Sequence, residues 1–558
     1  MTIPPVNMAK THLTPRLPDP LFDDWFVTAA NTNLLSLTRK LRVIPFGHGH
    51  SQIAHWTAPT HEPRFPAMSD NQELRRVTRR AFLGTGVAAG VAGPFPVAFA
   101  APSVAAAGAS PAAHGDDYLT AAQQAARWIR SAQVPRGTGI AWLPDPDHPD
   151  KPVTIGPDNT IYSGSAGVVL FFLELARATG DASYLHDAAL GADYLAVSWQ
   201  TLAEGSGASA RRDQGLSFDQ GLAGTAFALA ESWKATQNPT YRDAALAATH
   251  VLASRAESIG EGVEWLRSPA VGQGGGITLY LLYAARTFHD DEFLKLAARA
   301  GDRILQLAEP DPRGGLRWQG QPRPNSSAAV ASVTYSPNFE LGTAGVAFVL
   351  ARLYEETGQR KYLDAARAGA KHIQSIATVQ GDSALVYYRE PDLTNLYYLG
   401  YCHGPAGTAR LFYQLHKITG EKQYLDWTEK LARGIERAGV PEKLTPGYWN
   451  VACQCCGSAA VNDLFLSLWL TTGKAHYRDF ARRVADQLIS REDDLDGKGY
   501  RWYQAWTRVK PWEVNAETGY KIGAAGIGAA LIHTHLAVQN RYSAILFPDN
   551  PFPREQHT

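Results

Sequence analysis

The chain has 558 residues, 45% of them hydrophobic and 19% charged, with 53 Lys+Arg set against 53 Asp+Glu. That length allows one large domain or two to three average ones. The balanced charge gives no footprint for nucleic acid or an anionic membrane surface, and 14 Trp with 23 Tyr suit either a lined cleft or a large core.

Residues 1–67 are rich in Pro, Thr, His and Asn and show no lasting periodicity. After Met68 comes Thr78-Arg79-Arg80-Ala81-Phe82-Leu83, which resembles a twin-arginine export signal. A weakly apolar stretch runs from Ala81 to Ala100, broken by Gly and Pro, and Ala98-Phe99-Ala100 supplies a small-x-small cleavage site. The reading is an upstream segment over 1–67, with translation starting at Met68, and a signal peptide over 68–105. A folded domain follows over 106–558. The resemblance implies export of a folded protein to an extracytoplasmic site, with no stable membrane span left after cleavage.

From about residue 116 the chain repeats itself. Each unit is Gly-x-x-Gly, an apolar helical run, a short polar turn and an amphipathic helix carrying Tyr-Leu-x-Ala-Ala or a relative. The turns begin at Gly164, Gly221, Gln273, Gly342, Gly404, Gly457 and Gly523, with spacings of 57, 52, 69, 62, 53 and 66 residues. Runs such as Val168–Leu173 are apolar nearly all round, which marks a buried helix. Tyr184–Ser198 and Tyr362–Ile376 are apolar at i, i+3, i+4, which marks a surface helix. An extra amphipathic helix, Asp117–Gln133, precedes the first turn. The seventh inner helix, Ile527–Val538, is followed only by a short Pro-rich tail. The leading helix can supply the missing outer partner and close the ring. The expected fold is all-α, a monomeric α/α toroid of seven inner and seven outer helices, with the seven turns at one mouth.

All four cysteines lie between 402 and 456. Cys402 and His403 directly precede the turn of repeat five, and Cys455 and Cys456 that of repeat six. Three thiols thus come from neighbouring turns. Thiolates suit tetrahedral zinc, and three ligands leave one position open. Cys453 is either a fourth ligand or a bystander. Disulfides and free thiols are the alternatives; four cysteines allow three pairings, but a Cys455–Cys456 bridge would be strained.

With Tyr401-Cys402-His403-Gly404-Pro405-Ala406-Gly407 and Cys455-Cys456-Gly457-Ser458-Ala459-Ala460, the repeat resembles the lanthionine synthetase C-like (LanC-like) family over roughly residues 120–540. The resemblance implies a Zn2+ cofactor held by Cys402, Cys455 and Cys456. It implies addition of a thiol to dehydroalanine or dehydrobutyrine, with a peptide or small thiol as substrate. The chain departs from the family around the metal. The acid His before the repeat-four glycine is Leu341 here, an Arg is replaced by Tyr398, and an Asp by Ser217. His403 is the candidate catalytic acid in their place. Two other functions fit the same toroid. One is a zinc-bearing protein that binds a peptide or thiol without turnover. The other is a glycan-active enzyme, which would use paired carboxylates. Asp219 and Glu340, each two residues before a turn glycine, would be that pair, with Tyr162, Tyr401, Trp449 and Tyr520 as sugar platforms.

Overall fold

The computed structural model describes residues 115–150, 158–204, 214–319, 335–392 and 394–555. The expected upstream segment and export signal, 1–67 and 68–105, lie outside the described residues.

Each glycine turn opens an apolar helix of 15 residues. These inner helices are α2 (Ser165–Thr179), α4 (Leu222–Thr236), α6 (Gly274–Phe288), α8 (Thr343–Thr357), α10 (Pro405–Thr419), α12 (Ser458–Thr472) and α14 (Ala524–Val538). Six of the seven end on a residue with φ between 56° and 72°, whose N–H returns to a carbonyl of the last turn. This left-handed cap turns the chain outward.

The outer helices are α1 (Gly115–Ser131), α3 (Ala182–Glu204), α5 (Pro239–Ser254), α7 (Asp291–Gln306), α9 (Arg360–Ile376), α11 (Lys422–Arg437) and α13 (Ala475–Ile489). The starts of α5 and α7 follow ordinary capping chemistry. Asn238 Oδ1 accepts from Thr240 N at 3.0 Å ahead of Pro239, and Asp290 Oδ1 accepts from Glu292 N at 2.9 Å.

Every inner helix packs on the next, and α14 returns to α2, so the inner ring is closed. The leading helix α1 packs on α14 as its outer partner. The tyrosine of the repeat shows how outer neighbours are joined. Tyr241 donates to Asp193 at 2.7 Å, Tyr362 to Asp302 at 2.8 Å, and Tyr118 of α1 to Asp486 of α13 at 2.6 Å. The last of these ties the first described helix to the last outer one. The fold is an all-α toroid of seven inner and seven outer helices.

Five two-stranded hairpins, not foreseen from the sequence, follow outer helices: β1/β2 (Gln133–Arg136, Gly139–Trp142), β3/β4 (Glu257–Ile259, Gly262–Glu264), β5/β6 (Glu309–Pro310, Leu316–Arg317), β7/β8 (Thr378–Gln380, Ser383–Leu385) and β9/β10 (Gln504–Ala505, Val514–Asn515). All are antiparallel; β1 pairs Gln133 with Trp142 and Arg136 with Gly139. Tryptophans after the outer helices cap their ends. Trp265 donates to Leu252 O at 2.9 Å, Trp318 to Ile304 O at 2.9 Å and Trp502 to Leu488 O at 2.7 Å. Each adds a second hydrogen bond to a last-turn carbonyl that also accepts a backbone N–H from three residues on.

The C-terminal tail enters the ring. Ile545 N donates to Glu174 of α2 at 2.8 Å, Phe552 stacks on Tyr413 of α10 at 4.3 Å, and Phe547 lies 5.3 Å from Phe227 of α4. Asp549 is buried and accepts from Arg410 at 2.8 Å, while Arg410 also reaches Asp463 at 3.3 Å. Breaking a buried pair leaves an uncompensated charge. Asp549→Asn is therefore expected to lower the unfolding free energy by about 3 kcal/mol; urea denaturation reads it, and an unchanged midpoint would deny the tail a part in the core.

In six of the seven turns (all but the sixth, which has Ala460) the fourth residue is glycine, and a carbonyl oxygen occupies the space of its Cβ. A Cβ on Gly345 would stand 1.8 Å from Phe339 O. Gly345→Ala is expected to cost about 2–4 kcal/mol. The same denaturation measurement checks this, with a surface Gly358→Ala variant, at φ 67° in open space, reporting the smaller cost of a strained φ alone (about 1 kcal/mol).

Candidate metal centre

The residues before the turn glycines form a chain of backbone hydrogen bonds around the centre. Tyr162 N donates to Asp219 O at 2.8 Å, Glu340 N to Cys402 O at 2.9 Å, and Cys402 N to Cys455 O at 3.1 Å. Cys455 N then donates to Lys521 O at 2.9 Å, and Lys521 N to Tyr162 O at 3.0 Å. Gly272 N joins the third turn to Glu340 O at 2.7 Å. Each of these residues except Gly272 is two places before its turn's first position, so repeat spacing has become adjacency in space.

Turn five and turn six meet most closely. A Cβ on Gly400 would fall 2.4 Å from the carbonyl carbon of Cys456, so glycine at 400 lets the two backbones touch. Cys402 Sγ lies 3.1 Å from Cys456 Sγ, and Cys456 Sγ 3.5 Å from Cys455 Sγ. All three sulfurs lie within 4.8 Å of one another. No disulfide joins them; all four cysteines are free. Zinc–sulfur bonds of about 2.3 Å place the sulfurs of a tetrahedral site about 3.8 Å apart, so this trio fits such an ion with sub-ångström adjustment. Cys453 is outside the trio. It is buried, and its N–H donates to Gln504 Oε1 at 3.1 Å.

The trio borders a cavity of about 60 Å³ that is also lined by Tyr162, Glu340, Tyr398, His403 and Trp449. One wall is aromatic: Tyr398 stacks on Tyr388 at 4.5 Å and meets Trp449 edge-on at 5.3 Å. His403 lies edge-on to Tyr388 at 4.8 Å, and its Nδ1 is buried without a hydrogen-bond partner.

Burial and neighbours set the protonation of the metal-free site. Burial alone would raise Cys402, but hydrogen bonds from the Cys455 and Cys456 thiols outweigh it and bring Cys402 down to about 7. Those bonds to Cys402 push Cys455 and Cys456 well above the usual thiol range. Burial pushes Cys453 up to about 12. Burial, then the charge on Cys455, raises the Glu340 carboxyl well above its usual range, and Cys455 Sγ contacts Glu340 Oε2 at 3.8 Å. Burial, helped by the positive charge of Arg389, drives the His403 imidazole down to about 3. His403 is thus neutral at every ordinary pH.

The two carboxylates of the glycan reading part company. Glu340 lines the cavity, while Asp219 turns to Lys521, 3.4 Å away. The positions where the family carries acid–base residues hold Leu341 and Ser217, both buried, and the stacked Tyr398.

A second group, Asp311, His372 and Glu390, also gathers three ligand atoms within 4.8 Å. Its carboxylates already have cations. Arg313 holds Asp311 at 2.9 Å and also reaches Glu390, and Arg317 lies 3.2 Å from each. His372 Nε2 takes the remaining Glu390 oxygen at 3.0 Å. This is an ion-pair cluster tying the β5/β6 hairpin to α9.

A family model described as lanthionine synthetase C-like protein matches residues 157–547, which takes in all seven turns. The chain belongs to the LanC-like family. Among solved structures, this LanC-like chain is similar to nisin cyclase, with a TM-score of 0.53 and 13% identity over 75% of this chain and 94% of that one. The α-1,6-mannanase of Salegentibacter sp. HEL1_6 matches at a TM-score of 0.41 and 13% identity, over 76% of this chain and 99% of that one. No curated protein matches the sequence. Among the described residues no helix is long and apolar enough to cross a membrane.

Thiols bind metal as thiolates, so loading the site must expel the protons they hold. With Cys402 at about 7 and its two partners higher, the count rises as pH falls through 7. Zinc titration is expected to release about two thiol protons near pH 8 and about three near pH 6. Calorimetry in buffers of different ionisation enthalpy measures this, and a smaller count at pH 6 than at pH 8 would contradict it.

Proposed function

We propose that the chain is a zinc-dependent LanC-like protein that adds a thiol to a dehydroamino acid, forming a thioether. The supporting observation is the trio of thiols within 4.8 Å of one another, delivered by two neighbouring turns onto a cavity that Tyr162, Tyr398 and Trp449 help to wall. Cys402, Cys455 and Cys456 would hold the zinc, which when bound lowers the pKa of a thiol at its open position. A free thiol, with a pKa of about 8.5, is otherwise little ionised at neutral pH.

The remaining steps fall to the protein's own side chains. Tyr398 and Trp449 wall the cavity with apolar surface and exclude water. Addition of sulfur to the β-carbon breaks the C=C π bond and moves charge onto the carbonyl oxygen, which needs a hydrogen-bond donor. The α-carbon of the resulting enolate then takes a proton, matching the one the thiol gave up, and the thioether is complete. His403, held neutral, keeps one ring N–H for that purpose. Tyr162, raised well above its usual range by burial and by Cys455, keeps its phenolic proton beside the thiols. The proposed substrate is a peptide or small thiol. The Thr78-Arg79-Arg80 motif supports the further proposal of twin-arginine export.

A second reading is a zinc-bearing protein that binds a peptide or thiol without turnover. Leu341 favours it, since an aliphatic side chain stands where the family carries its acid and has no proton to donate. The glycan-active reading needs Asp219 and Glu340 to act together, and Asp219 is held by Lys521.

The readings separate in one set of assays. The first expects about one zinc per chain, lost in Cys402→Ala and kept in Cys453→Ala. Zinc-loaded protein mixed with glutathione and a dehydroalanine peptide should give the thioether by mass spectrometry, and His403→Ala should slow it by about 10²-fold with zinc content unchanged. Zinc binding without thioether above a metal-free control would leave the binding protein standing.

A further inference from the structure

The cavity beside the thiols, about 60 Å³, holds little more than one reacting side chain. The rest of any peptide that delivers such a side chain must lie across the rim. The β9/β10 hairpin forms one part of that rim. Gln504 and Ala505 of β9 and Asn515 of β10 line the cavity, with Ala505 paired to Val514 and Gln504 to Asn515.

The base of this hairpin is tied to the cysteine loop. Gln504 Oε1 accepts from Ala452 N at 2.9 Å and from Cys453 N at 3.1 Å. Ala505 N donates to Asn450 O at 2.9 Å, and Trp449 Nε1 donates to Ala505 O at 3.0 Å. The tip is the opposite in character. Val509 is 45% exposed, Trp512 72% and Val514 38%. Exposed large apolar side chains elsewhere among the described residues are scattered singly. Isolated ones are ordinary; three within six residues, next to a reaction cavity, mark a binding surface.

Charge selects the occupant. Lys510 of the tip is neutralised by Glu513 at 3.1 Å, and Arg508, the other cation of the loop, lines the cavity, so the tip lacks the outward cationic excess with which an apolar anchor holds an anionic membrane surface. Size and position match a peptide, because the reacting residue inside the cavity and its neighbours outside it belong to one chain.

We propose that the hairpin tip docks the peptide part of the substrate, an extended segment flanking the reacting residue with an aromatic or aliphatic side chain on Trp512. The inference rests on the thiol-addition reading only for the identity of the reacting residue.

The test uses binding, so it stands apart from turnover. The probe is a fluorescein-labelled peptide, Phe-Gly-Cys-Gly-Phe, titrated with zinc-loaded full-length protein and followed by polarisation. Trp512→Ala is expected to weaken binding by about tenfold or more, as loss of an aromatic anchor does. Zinc content and the affinity for N-acetylcysteine should stay unchanged, which shows that the cavity is intact. A peptide with Ser in place of both Phe residues should bind wild type as weakly as Phe-Gly-Cys-Gly-Phe binds the variant. Equal affinity of variant and wild type, or no peptide binding at all, would overturn the proposal. So would Trp512-dependent sedimentation with phosphatidylglycerol vesicles in place of peptide binding. If thioether formation fails while this pattern holds, the docking surface survives and the reaction does not.

Discussion

The N–H of one pre-glycine residue reaches the carbonyl of its counterpart on the next turn, and this link recurs around the toroid from Glu340 through Cys402, Cys455 and Lys521 to Tyr162 and Asp219. Such bonds satisfy backbone groups that would otherwise be buried unpaired in seven loops. They also fix the distance between equivalent positions of neighbouring repeats. Whatever side chain a repeat carries two places before its glycine is delivered to the same zone. Chemistry in this fold is therefore chosen by substitution at a few positions, with the scaffold left alone.

The cysteines exploit that arrangement. Two of the three thiols, on Cys402 and Cys455, come from the ring position itself, and Cys456 is added by the next residue along. Gly400 gives up its side chain so that turn five can rest on Cys456. Around them burial pushes Glu340 and Tyr162 toward their neutral forms, and His403 as well. A buried site that keeps its neighbours neutral can accept a divalent ion with three thiolates as the principal charge change.

The sequence made the repeat legible because small residues at the turns and all-round apolar runs leave a periodic trace. The cysteine trio was legible for the same reason, once Cys402, Cys455 and Cys456 were placed by offset from a glycine. What it did not reveal depends on contacts between distant segments. The hairpins have strands of two to four residues, too short for a period of two to stand out. The helix-capping role of Trp265, Trp318 and Trp502 is written only as a distance of 13 to 14 residues from a carbonyl. Aromatic content alone could not separate these from a lined cleft. Gly400 lies outside the turn motif, so nothing local marked it. The tail offered no helical pattern, and its role as a filler of the ring follows from Asp549 meeting Arg410 across 139 residues.

Closure by the first described helix and by the tail also bears on how the protein is made. Tyr118 meets Asp486 across 368 residues, and Glu174 waits for Ile545 across 371. A nascent chain that has left the ribosome as far as α12 already carries both cysteine turns, but its inner helices still line an open, incomplete arc. Apolar faces that α14 and the tail will cover are exposed until synthesis ends, which is the condition under which large chains rely on chaperones. The cysteine turns are made early, but Cys455 N waits for the carbonyl of Lys521 on the last turn, so the thiol cluster gains its full backbone support only when the ring closes.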